Sequence, residues 1–185
     1  MKNRFPIFFL IAALAGAATV LGGSARAQGF KLCKSTFALC TIAHCDPIPG
    51  NTKEVACHCT VNTGYSAGQQ PCQAIKQTPE GAQIHSRYYP VKSYAVCANE
   101  RAWAWCLDKP CTIDKNNPQA ATCACDVVKN LGDYVIVTSA ATPATCTTGV
   151  ISSATVQQIT QVTDFLKTKS SVLAPFPIEV LNQSK

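Results

Sequence analysis

Residues Cys40–Cys59 read CTIAHCDPIPGNTKEVACHC, and residues Cys106–Cys125 read CLDKPCTIDKNNPQAATCAC. Both follow the pattern Cys-x4-Cys-x11-Cys-x-Cys, and the second copy begins 66 residues after the first. Four cysteines with three identical gaps are the mark of an internal repeat, and we read the chain as a tandem duplication. The flanks agree more loosely. Phe30–Cys33 corresponds to Tyr94–Cys97, with two extra residues before the next cysteine. Phe37-Ala38-Leu39 stands before Cys40 as Trp103-Ala104-Trp105 stands before Cys106. Cys72 closes the first unit and Cys146 the second, after a segment eight residues longer.

Within each unit a turn separates two extended arms. Pro47, Pro49, Gly50 and Asn51 supply it in the first, and Asn116, Asn117 and Pro118 in the second. On the returning arms, Val55, Cys57, Cys59 and Val61 share one strand face, as do Ala121, Cys123, Cys125 and Val127. Tyr134–Thr138 adds a β-rich run after the Asn130–Asp133 turn. The segment CKSTFALC also admits a short helix. Val156, Ile159, Val162, Phe165 and Leu166 recur at helical spacing, with Thr155 and Gln158 placed for a capping box, which predicts an amphipathic helix over 154–168. The expected fold is therefore mainly β and disulfide-rich: two tandem small β-hairpin or three-stranded modules with a C-terminal amphipathic helix. The expected divisions are a signal peptide (1–27), repeat 1 (28–73), a linker (74–93), repeat 2 (94–147), and the helix with its tail (148–185).

The first residues carry an export signal. Lys2 and Arg4 precede the apolar run Ile7–Leu21, and Ala25-Arg26-Ala27 is an A-x-A cleavage site. The run is shorter than the roughly 20 residues of a spanning helix, so no membrane span is expected after cleavage. Its compactness suggests a bacterial signal, with the product in the periplasm or outside the cell. Removing Lys2, Arg4 and Arg26 leaves 13 basic against 10 acidic residues, a net charge of only +3. With no run of like charges, nucleic-acid binding lacks its electrostatic footprint.

All twelve cysteines follow the signal, and an even number in an exported chain reads as six disulfides. Six cysteines per unit allow 15 connectivities. Cross-hairpin pairing of Cys40 and Cys45 with Cys57 and Cys59 is the simplest, with Cys33–Cys72 outside it. The second unit then pairs Cys106 and Cys111 with Cys123 and Cys125, inside Cys97–Cys146. One difficulty stands: Cys40 and Cys45 fall on opposite faces of a strict strand, so either the first arm bends or the pairing is different.

Two other chemistries compete for the same residues. His44-Cys45 and Cys57-His58-Cys59 offer imidazole and sulfur for copper or zinc. The second unit has Pro110 and Ala124 at the histidine positions, which argues against a shared His/Cys site. Gly64-Tyr65-Ser66-Ala67-Gly68 matches G-x-S-x-G, yet Gln69-Gln70-Pro71-Cys72 is no helix start and no Asp–His pair follows in order. It reads as a glycine loop. Without C-x-x-C, a thiol-disulfide enzyme is disfavoured as well. The expectation is an exported, non-enzymatic binding protein with no cofactor, whose partner is a protein or envelope component. Trp103 and Trp105 are candidate contacts, and their alternative place is the local core. The rival expectation is a metal-binding protein using His44, Cys45, Cys57, His58 and Cys59.

Overall fold

The alternation of buried and exposed residues along the returning arms decides the architecture. In a computed structural model, which describes residues 29–182 apart from Asn99, Thr147, Thr148 and Phe176, those arms are the strands β3 (Asn51–Gly68) and β9 (Ala120–Val128). The expected signal peptide, 1–27, lies outside the described residues. The chain is mainly β, with one short helix among the described residues. Before β3 come β1 (Lys31–Leu39) and β2 (Cys45–Ile48); between β3 and β9 come β4 (Lys76–Thr78), β5 (Gly81–His85), β6 (Ser93–Cys97), β7 (Trp103–Trp105) and β8 (Pro110–Ile113). After β9 follow β10 (Tyr134–Val137), β11 (Ser152–Ser153), α1 (Val156–Lys167) and β12 (Glu179–Val180). Nine strands form one sheet along the path β1-β3-β9-β8-β5-β4, with β2 on β3, β7 on β9 and β11 on β7. A second sheet runs β10-β6-β12.

The segment that could have been helical, CKSTFALC, is strand β1, paired along its length with the end of β3 from Lys31↔Gly68 to Leu39↔Thr60. Residues 74–93 contribute β4 and β5 to the main sheet. The GYSAG segment is not a loop but the last five residues of β3, because β1 continues to pair with it.

The required bend lies between β1 and β2. Leu39 pairs with Thr60 and Cys45 with Cys57, so five residues, Cys40–His44, oppose only His58 and Cys59. This bulge lets Cys40 and Cys45 both turn inward. Cys40–Cys59 and Cys45–Cys57 staple it from either side, with Cα separations of 4.5 and 4.0 Å. The second half repeats the arrangement: Trp105 pairs with Asp126 and Cys111 with Cys123, and Cys106–Cys125 and Cys111–Cys123 are the staples. Cys33–Cys72 and Cys97–Cys146 complete six disulfides. β3 and β9 pair antiparallel with Cys57 opposite Cys123, residues that are themselves 66 positions apart. The two halves thus meet about an approximate two-fold axis through that pair.

Around this axis the eight staple cysteines are buried with Val55, Ile84 and Ala104, and Cys40 Sγ lies 3.4 Å from Cys123 Sγ. Burying sulfur as compact apolar volume gives a small chain a core that its aliphatic content alone would not supply. Beside it, α1 buries Ile159, Val162 and Leu166 against Val135 and Tyr94. Thr155 and Gln158 close the capping box at its start.

Candidate functional site

The two bulges are held by segments that cross from one half to the other. Ser86 sits at the end of the run Ile84-His85-Ser86, and its hydroxyl donates to the Cys106 carbonyl while accepting from the Lys109 N–H. Ser152 does the same in Val150-Ile151-Ser152, donating to Cys40 and accepting from Ala43. Both serines are 2% exposed, so each supplies partners that water cannot reach. Ile84-His85-Ser86 and Val150-Ile151-Ser152 stand at the same 66-residue offset as the cysteines. That offset was the signal that could have revealed the two serines. It is hidden because the segment before Cys146 is longer than its counterpart and the one after it correspondingly shorter.

Each bulge contains a tight turn whose third residue has positive φ, Ile42 at 52° and Asp108 at 58°. Aspartate tolerates that conformation; a β-branched residue does not do so readily. Asp108 has a structural use. Its carboxylate pairs with Arg87 at 3.2 Å, both side chains being less than one-tenth exposed, and accepts the backbone N–H groups of Gln69 and Gln70. Arg87 further donates to Ser66 Oγ and to the Lys31 carbonyl. Burial pulls the guanidinium below its ordinary pKa and Asp108 opposes the shift. Ser66 is thus an acceptor in a buried network with no exposed surface, which removes it from nucleophilic chemistry. Gly68 leaves the space that the ion pair fills.

Ile42 has no such internal use. Its side chain is 49% exposed and stands with Tyr89, 51% exposed, on the rim of a cavity of about 40 Å3. The cavity lies between the bulges, and its walls include Tyr88, Val91, Leu107, Val135 and Ile159. The Tyr88 hydroxyl is buried; Trp105 lies beside it, but the two do not reach hydrogen-bond geometry. Burial pushes its pKa upward.

The residues considered for metal are separated by the strand alternation. Cys45, Cys57 and Cys59 point into the core and are all in disulfides, so they present no thiolate. His44 and His58 are on the opposite, exposed face, where both contact Asp46: His44 Nε2 at 3.3 Å from Oδ1 and His58 Nε2 at 2.8 Å from Oδ2. The five-residue set of the rival metal reading is therefore not assembled, because neighbours in a strand face opposite ways. Asp46, two positions from His44, is the member that the reading of His and Cys alone left out.

Of the two tryptophans, Trp103 is fully buried and stacks on Tyr134 at 5.9 Å between ring centroids. It has no surface to offer a partner; its place opposite Val128 in the β7–β9 pair turns it into the core. Trp105 is half-buried against the same cluster. Among the described residues no helix is long and apolar enough to cross a membrane. No known family model, curated protein or solved structure matches the chain.

Proposed function

We propose that this chain is an exported, non-enzymatic binding protein that grips an apolar side chain of a partner protein at the mouth between the two bulges. In this reading it consists of two divergent copies of one disulfide-stapled module, with an amphipathic helix covering the second sheet. The coincidence of strand registers, staples and serine bridges at one offset supports the two-copy origin. The extensive disulfides and the absence of an apolar spanning helix among the described residues are consistent with export.

The observation that carries the binding reading is Ile42. A left-handed conformation costs an L-residue about 1–2 kcal/mol, and glycine, asparagine or aspartate would remove most of that cost. Keeping a half-exposed isoleucine there makes sense when the side chain itself is used. The cavity beside it is about one-tenth the size of a small-molecule site, which is on the order of 300–1,000 Å3. It suits one inserted side chain, with Ile42 and Tyr89 closing around it as an apolar ring.

The test places a photo-crosslinking amino acid at position 42, 89 or 75 and illuminates the protein among the exported proteins of its source. Ile75 is the control, being 47% exposed and away from the cavity. A common adduct at 42 and 89, absent at 75, supports the reading. Adducts equal at all three positions, or none, refute it.

A further inference from the structure

We propose that His44, Asp46 and His58 form a surface site for a divalent transition-metal ion, taking copper(II) more tightly than zinc(II). This proposal is independent of the docking reading, since neither Ile42 nor Tyr89 takes part. The backbone brings the ligands together. His58 N–H donates to the His44 carbonyl at 2.9 Å, which extends the β2–β3 pairing by one step beyond Cys45↔Cys57 and sets the two histidines directly opposite. Directly opposed residues project from the same face of a ladder, and Asp46, two residues along, joins them.

The frame is rigid on both sides. One residue away, Cys45–Cys57 bridges the strands with Cα atoms 4.0 Å apart, and Cys40–Cys59 pins the bulge behind. Behind His44 the backbone is braced again, with the Cys45 N–H donating to Val150 at 2.9 Å. Gly149 approaches so closely that a Cβ there would lie 3.3 Å from the His44 ring. The frame fixes the backbone spacing of the pair, so that only side-chain rotations remain to be ordered on binding, which favours affinity.

The donor set fixes the class of ion. Two imidazoles and one carboxylate, with no available sulfur, suit copper(II) or zinc(II); copper(I) would need thiolate or thioether. At present the carboxylate lies between the rings, and all three side chains are more than half exposed, so they can turn to converge on an ion. An ion taking the Nε2 lone pairs leaves each neutral ring with its single proton on Nδ1. Among divalent ions the N/O preference order places copper(II) above zinc(II). The corresponding residues of the second half are Pro110, Thr112 and Ala124, which cannot ligate, so the stoichiometry is one ion per chain.

The test titrates the oxidised full-length mature protein with copper(II) and with zinc(II) by calorimetry, and records the paramagnetic resonance spectrum of the copper form. One copper per chain with hyperfine structure from two nitrogens is expected. His44→Gln and His58→Gln each weaken binding by at least about tenfold, Asp46→Asn weakens it by about tenfold, and His85→Gln leaves it unchanged. Intact mass showing six bridges in each variant confirms that the frame survives. Failure to bind copper(II) below about 100 μM, or binding that His44→Gln and His58→Gln leave intact, overturns the assignment.

Discussion

Replacing Gly68 by alanine tests whether the Arg87–Asp108 pair locks the two halves of the sheet. A Cβ built on Gly68 falls on Asp108 Oδ1 and 2.5 Å from Arg87 Nη1. Neither group can retreat at low cost. The carboxylate also accepts the Gln69 and Gln70 N–H groups, and the guanidinium is held by Ser66 and by the Lys31 carbonyl. With both side chains less than one-tenth exposed, separating them leaves charges that water reaches poorly. Breaking a buried pair in this way costs about 3–5 kcal/mol. For a domain of this size each kcal/mol lowers Tm by roughly 2–4 °C, so Gly68→Ala should melt about 10–15 °C below the parent. The measurement is differential scanning calorimetry under non-reducing conditions, with mass confirming that all six bridges have formed. Ser66→Ala gives a graded companion, removing only the Nε acceptor at a cost of about 1–3 kcal/mol. Should the glycine variant fail to accumulate, the serine variant still decides. A Tm for Gly68→Ala within about 2 °C of the parent, or for Ser66→Ala unchanged, would refute the view that this network is structural.

Ser86→Ala and Ser152→Ala should each destabilise by about 1–3 kcal/mol, because each leaves a buried N–H and carbonyl without their hydroxyl partner, and denaturant midpoints of similar size would show the two bridges to be equivalent. Ile42→Gly should be at least as stable as the parent, since relief of the left-handed backbone offsets the loss of a half-exposed side chain; a loss above about 2 kcal/mol in the same assay would mean that Ile42 is retained for packing. Full reduction should add twelve hydrogens to the intact mass and abolish the cooperative transition, because each bridge constrains the unfolded chain by about 3–4 kcal/mol; a reduced chain that still melts cooperatively near the parent Tm would contradict this.

The sequence carried the β character because period-two burial and turn residues are local properties, visible in VACHC and ATCAC alone. It also carried α1, whose apolar spacing and capping box are complete within one segment. What it could not display was the pairing of β3 with β9, since that contact joins residues about 66 apart, centred on Cys57↔Cys123, and leaves no mark in either strand's own pattern. The GYSAG misreading has the same origin. Two glycines argue for a loop locally, but β1 recruits the segment as a strand, while Gly68 answers to Arg87 and Asp108 from elsewhere in the chain. The candidate site is half visible in the sequence: His44 and His58 stand beside cysteines, and strand alternation already turns His58 away from Cys57 and Cys59. Only the register identifies Asp46 as the third member.

The approximate two-fold arrangement also separates positions that hold the scaffold from positions that face solvent. The staples and the hydroxyl bridges are the same in both halves: four cysteines each, and Ser86 matched by Ser152. Positions that face solvent around the first bulge differ from their counterparts in kind. Ile42 faces outward where Asp108 turns in to Arg87, and His44, Asp46 and His58 stand where the second half has Pro110, Thr112 and Ala124. The second half completes the sheet and locks it through Asp108, and its turn residue with positive φ is one that tolerates that conformation. The first half carries the exposed Ile42 and the imidazole pair on the same stapled frame. Exchanging the two bulges, by placing Ile at 108 and Asp at 42, would therefore not yield a mirror-image protein. Arg87 would be left buried without its counter-charge, and the apolar rim would be lost from the cavity mouth. Stability would fall at position 108, and the docking proposed at the cavity mouth would be lost at position 42, 66 residues away.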